Sequence, residues 1–187
     1  ELVTAFGELG VDTVQGSESN VLSRFQLVAD LFHPDVILRI TGDCPLLDPA
    51  PAEEIVRFLE QHSRCLFASN DTLISGWPDG TDVEAFRVSL LDDTIKHSSC
   101  GPYDREHVTH LMKKICTDRR QFSYVHERPR DSTSRLKLSV DTAKDLERVR
   151  TIVKTRYYFR SIKPTRQRFS LSETSKSAAA AGLLNVE

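Results

Sequence analysis

The sequence predicts an α/β fold built on a largely parallel open sheet. Two observations carry this. Short apolar runs rich in β-branched residues alternate with amphipathic segments of helical length, the rhythm of strand–helix units. The run at residues 35–40 is short, β-branched and apolar at Val36, Ile37, Leu38 and Ile40, as a buried strand of a parallel sheet would be.

The elements follow in order. Leu2, Val3, Phe6 and Leu9 share one helical face, and Gly10 ends that segment. Residues 11–15 read as a short strand. Ser17, Ser19 and Asn20 offer capping oxygens to a helix carrying Val21, Leu22, Phe25, Val28, Ala29 and Phe32, which stops at His33-Pro34. The strand at 35–40 runs into a loop, 41–49. Pro49 and Pro51 suit the first turn of the next helix, which continues over 53–62. Residues 65–69 read as a strand, 70–82 as turns, 83–88 as a strand and 89–97 as a helix. Gly101-Pro102 marks a loop. Val108, Leu111, Met112 and Ile115 place one helix over 104–116. Residues 122–126 and the alternating Leu136, Leu138 and Val140 read as strands, so some antiparallel pairing is admitted over 82–140. Thr142, with Asp145 three positions on, caps a last long helix.

The chain has 187 residues, 39% hydrophobic, enough for one core. A net charge of −2 argues against a nucleic-acid-binding domain. No apolar run approaches the ~20 residues of a membrane span. Cys44, Cys65, Cys100 and Cys116 show neither metal spacing nor a dense disulfide framework, which suits a reducing cytoplasm. Two regions are expected: a domain over 1–159 and a polar, Ala-rich, disordered tail over 160–187. The chain opens at Glu1 inside an amphipathic stretch, so a preceding segment is expected.

Chemistry is expected where strands end, because open α/β sheets bind ligands at the carboxyl ends of their strands. Asp43 leaves the strand at 35–40 beside Gly42, and Asp141 leaves the one at 136–140. Strand-end carboxylates suit Mg²⁺ bridging to phosphate oxygens. The plainer alternatives are a turn role for Asp43 and helix capping for Asp141, and residue spacing alone leaves both open. His107 and His110 share a helical face, but without a third ligand zinc is the weaker reading.

Five stretches in order resemble the cytidylyltransferase family, of the spore-coat polysaccharide type related to the acylneuraminate and 3-deoxy-manno-octulosonate enzymes. They are Gly16-Ser-Glu-Ser-Asn-Val-Leu-Ser-Arg-Phe25, Arg39-Ile-Thr-Gly-Asp-Cys-Pro-Leu-Leu-Asp-Pro49, Trp77-Pro-Asp-Gly-Thr-Asp-Val-Glu84, Asp104-Arg-Glu-His-Val-Thr109 and Ser139-Val-Asp-Thr-Ala-Lys-Asp-Leu-Glu-Arg-Val149. The resemblance implies a Rossmann-like nucleotide-diphospho-sugar transferase sheet with helices on both faces. It implies transfer of CMP from CTP to a sugar hydroxyl, with release of pyrophosphate, for cell-surface polysaccharide synthesis. Asp43 and Asp141 match the family's Mg²⁺ aspartates and are the expected catalytic residues. Asp79, Asp82, Glu84, Arg105, Glu106 and His107 are the expected acceptor contacts. For Glu84, Arg105 and Glu106 an internal salt-bridge set is an equal alternative. Arg39 is expected to tie its strand to a neighbouring acid.

The resemblance departs at the front, where the family's first strand and basic nucleotide loop have no counterpart. The expectations are therefore a sheet lacking its first strand or strands, and weak CTP binding by the isolated chain. CTP and a sugar acceptor are the expected partners, and a homodimer is admitted. The alternative function is a catalytically inactive sugar- or partner-binding segment of a larger protein.

Overall fold

The computed structural model describes residues 1–119 and 121–162. Its sheet has four strands, β1 (Val36–Arg39), β2 (Cys65–Ser69), β3 (Glu84–Arg87) and β4 (Phe122–Val125), in the order β1-β3-β2-β4. β3 runs antiparallel to both β1 and β2, and only β2 and β4 are parallel. The largely parallel sheet expected from the sequence is thus corrected. The strand at 35–40 forms, but as an edge strand whose Ile37 pairs with Phe86 and whose Arg39 pairs with Glu84.

Helices cover both faces. On one, Ile37, Phe67 and Phe86 pack against α2 (Val21–Phe32), α4 (Val88–Lys96) and α6 (Thr109–Asp118) through Leu22, Leu90, Leu91, Met112 and Ile115. On the other, Ala68 and Ala85 pack against Ile55 and Leu59 of α3 (Pro49–Gln61). Each such fully buried aliphatic side chain contributes about 1.5–3 kcal/mol. A third cluster joins Leu46, Leu136 and Leu138 to Val149 and Ile152 of α7 (Ala143–Ile162), with Trp77 against its side. This cluster clamps the 41–49 loop to the segment before α7.

The capping chemistry explains several boundaries. Asn20 Oδ1 accepts from the Ser23 amide at 3.2 Å, opening α2. His33 closes it in the left-handed region at φ 47°, before Pro34. Asp48 accepts from the Ala50 amide at 3.0 Å, with Pro49 at the start of α3. Thr142 and Asp145 bond reciprocally at the start of α7.

Three further expectations are corrected, at residues 11–15, 136–140 and 104–116, while the opening helix forms as expected. Residues 11–15 form no strand. Helix α1 (Leu2–Glu8) forms but buries none of its residues. The 136–140 segment is not a strand, because its alternation serves packing against α7 and, among the described residues, its one ladder contact is the Asp79–Lys137 bridge. The helix expected over 104–116 is two helices, α5 (Pro102–His107) and α6, broken at Val108. Val108 lies at φ 54°, ψ −63°, a conformation that costs a β-branched residue about 1–3 kcal/mol. Its complete burial and its amide bond to the Asp104 carbonyl at 2.9 Å hold it there. Helix α7 runs through Ile162, and residues 163–187, most of the expected tail, lie outside the described residues.

Candidate functional site

The site forms where three loops meet: 41–49 after β1, 70–83 between β2 and β3, and 136–142 before α7. The first and third are joined by backbone. The Val140 amide donates to the Asp43 carbonyl at 2.9 Å, so Asp141 follows the residue bonded to Asp43. The second and third are joined by the Leu138 amide, which donates to the Asp79 carbonyl at 2.7 Å. Gly80 permits this approach. It sits at φ 86°, and a Cβ there would overlap the Ser139 nitrogen and the Leu138 carbonyl carbon.

The side chains follow from that frame. The Thr41 hydroxyl is the main influence holding Asp43 below the usual carboxylate range, against partial burial, with help from Cys44 and Arg39. Burial, with the charges of Asp43 and Asp82 adding to it, pushes the Cys44 thiol up to about 11. Cys44 is therefore a protonated donor near neutral pH rather than a nucleophile. The Ser139 hydroxyl lies 2.9 Å from Asp79 Oδ2 and 3.3 Å from Asp141 Oδ2. Asp82 accepts from the Thr72 hydroxyl at 2.7 Å and from the Gly80 amide at 3.2 Å. Fully buried Asn70 pins the middle loop, donating to the Thr81 carbonyl and accepting from the Val83 amide.

The structure thus gathers Asp43, Asp79, Asp82 and Asp141 around one junction. Among the described residues, no group of three or more His, Cys, Asp or Glu side chains is arranged to hold a metal by itself. The all-oxygen donor set of Asp43 and Asp141 still fits Mg²⁺, which takes one or two carboxylates and completes its shell with water and phosphate. Asp43 is ionised near neutral pH, and the Asp141 side chain is 54% exposed but carries Lys137 Nζ at 2.5 Å on its Oδ2.

The remaining expected residues lie elsewhere. Glu84 is engaged internally, bonded to Arg39 at 2.6 Å, to Lys113 at 2.9 Å and to the Thr109 hydroxyl at 2.9 Å. Its partners are thus not Arg105 and Glu106, and Arg39 does tie β1 to a neighbouring acid. Arg105 lines a small cavity with Asn20, Ser23 and Gln26 of α2. Glu106 lines a larger groove of about 540 Å³ that runs along β1 to Thr41 and Gly42, with Arg24 and Arg39 beside it. The His107 ring packs on Tyr103 at 4.2 Å, and His110 turns back to Asp104 at 2.7 Å.

Lys137 and Ser139 are the site residues that sequence reasoning passed over, and Asp145, expected only as a helix cap, joins them. Asp145 accepts from the amides of Asp141 and Thr142, the Thr142 hydroxyl, Lys137 and Arg148. These donors, led by Lys137, hold its carboxyl far below the usual range. The spacing of Lys137 to Asp141 carried a signal, but an extended segment would separate their side chains.

Comparison with known proteins places this geometry among relatives. A family model described as cytidylyltransferase matches residues 1–165. The spore coat polysaccharide biosynthesis protein SpsF of Bacillus subtilis is 30% identical over 145 residues, covering 76% of this chain and 57% of that protein. An uncharacterized protein of Methanocaldococcus jannaschii is 29% identical over 148 residues, covering 78% of this chain and 57% of that protein. The chain therefore spans somewhat more than half the length of these relatives. The solved structure of a cytidylyltransferase from Leptospira borgpetersenii superposes with a TM-score of 0.79 at 24% identity, over 97% of this chain and 71% of that one. That likeness shows a shared fold.

Proposed function

Because the chain belongs to the cytidylyltransferase family, matched over residues 1–165, we propose that it serves the transfer of CMP from CTP to the hydroxyl of a sugar acid or related sugar, releasing pyrophosphate. The resemblance to SpsF supports a place in polysaccharide biosynthesis. The observation that carries the reading is the Asp43–Val140 backbone bond, which brings two strand-end and helix-start carboxylates to one junction.

In this reading Asp43 and Asp141 would hold Mg²⁺. When bound, the ion neutralises charge on the phosphate oxygens and so eases attack at the α-phosphorus. The chain's own residues do the positioning. Thr41 and Cys44 aim and ionise Asp43. Ser139 orients Asp79 and Asp141. Asp79 and Asp82 stand beside them as acceptors for sugar hydroxyls. Glu106, with Arg24 and Arg39 in the β1 groove, offers a further polar contact. The Glu84 cluster acts indirectly, by locking β1 to β3 and α6 beneath the loop. Arg105 and His107, on α5, offer further contacts to the acceptor.

The test is pyrophosphate release by the protein carrying this chain, with CTP, Mg²⁺ and a panel of sugar acids. The reading predicts acceptor-dependent release that chelation abolishes. A second reading, a non-catalytic partner-binding segment, is favoured by one observation. β1 is a sheet edge with exposed Leu38 and Ile40, flanked by apolar grooves. Absence of any acceptor- and metal-dependent release would favour it.

No helix among the described residues is long and apolar enough to cross a membrane. We propose cytoplasmic action, where CTP is available.

A further inference from the structure

We propose that Lys137 is the resident cation of the Asp141 carboxylate, tethered there by Asp145, and that it tunes the site to accept a metal–nucleotide complex in preference to free metal. This rests on the reading of Asp43 and Asp141 as metal ligands.

The geometry is asymmetric. Lys137 Nζ lies 2.5 Å from Asp141 and 2.9 Å from Asp145. Asp145 is nearly buried and, besides the lysine, holds Arg148 at 2.7 Å and the Thr142 amide at 3.0 Å. Asp141 is about half exposed and has the shared Ser139 hydroxyl as its other side-chain partner. Asp145 is thus the anchor, and Asp141 the carboxylate whose charge the ammonium covers.

A free divalent ion arriving at Asp141 meets a positive charge already in place. Because Lys137 is held by Asp145, it competes at a high effective concentration. An ion that arrives with a nucleotide brings phosphate oxygens. The ammonium can then turn from Asp141 to an anion while keeping its bond to Asp145. Displacement is costly for bare metal and compensated for the complex, which is a difference in affinity between two ligands.

Mn²⁺ alone is the probe, with free ion counted by electron paramagnetic resonance, followed by the same titration with Mn²⁺–CTP. K137M is expected to bind Mn²⁺ alone about fivefold or more tightly, as removal of an adjacent like charge implies, and Mn²⁺–CTP more weakly. K137Q is expected to follow K137M, and K137R to behave as the parent. Melting curves establish that each variant is folded, and Asp145 keeps enough donors for K137M to fold. Unchanged or weaker Mn²⁺ binding by folded K137M and K137Q overturns the proposal. D141N separates the two claims. If it leaves parental Mn²⁺ binding intact, Asp141 is not a ligand and the underlying reading fails. If it removes binding while K137M does not tighten it, the role of Lys137 alone fails. Absence of Mn²⁺ binding by both parent and K137M overturns both.

Discussion

The Asp43 carbonyl accepts the Val140 amide at 2.9 Å, so the loop after β1 and the turn before α7 are held in one register. The bond is made by backbone, so it survives changes to the side chains it brings together. Asp43→Asn and Asp141→Asn should therefore lose turnover by about 100-fold or more, as loss of a metal ligand implies, with melting temperatures little changed. Unfolding of either variant would assign these aspartates to structure.

Gly80 is where two loops touch. An alanine there meets the Ser139 nitrogen and the Leu138 carbonyl carbon and must also adopt φ 86°. Gly80→Ala should destabilise the fold by about 2–4 kcal/mol, combining overpacking with backbone strain. Urea unfolding measures this, and a loss under about 0.5 kcal/mol would mean the loops separate easily.

Glu84 is mostly buried between Arg39 and Lys113. Glu84→Gln takes the counter-charge from Arg39 and leaves Lys113 with Asp71 alone, at 3.4 Å, while keeping shape. A loss of about 1–3 kcal/mol is expected, below the range for a fully buried pair because Lys113 is partly exposed. A raised KM for the acceptor with unchanged stability would instead place Glu84 in direct contact with substrate.

Asp104 ties α5 to α6. Its bond from His110, then the Gly101 amide, hold its carboxyl below the ordinary range. A depressed folded-state value means that its stabilisation is present above the unfolded value, about pH 4, and fades as pH falls through the folded one. The urea midpoint should thus drop on acidification below about pH 4, and less steeply in Asp104→Asn. Parallel curves for parent and variant would contradict this.

What the sequence reveals follows from how local each cause is. Helix caps at Asn20, Asp48 and Thr142 are legible because capping acts within a few residues. Asp43 and Asp141 stand out as candidates because each stands where an apolar run ends. Pairing direction is not, because the Arg39–Glu84 register depends on residues 45 apart in the chain. For the same reason the sequence offers Arg105 and Glu106 as possible partners of Glu84 but does not point to Arg39 across the ladder. The alternation of Leu136, Leu138 and Val140 is real but serves the α7 interface. Reading it as a strand hid Lys137 and Ser139 among presumed solvent-facing positions. Val108 was hidden because a β-branched residue at positive φ runs against its own preference.

The most direct test is phosphorus NMR of CTP with Mg²⁺ and a panel of sugar acids, using the protein that carries this chain, alongside its Asp43→Asn variant. The account predicts a CMP–sugar phosphodiester and pyrophosphate appearing in equal amounts, and neither with the variant. CTP left intact across the acceptor panel, or equal turnover by parent and variant, would contradict it.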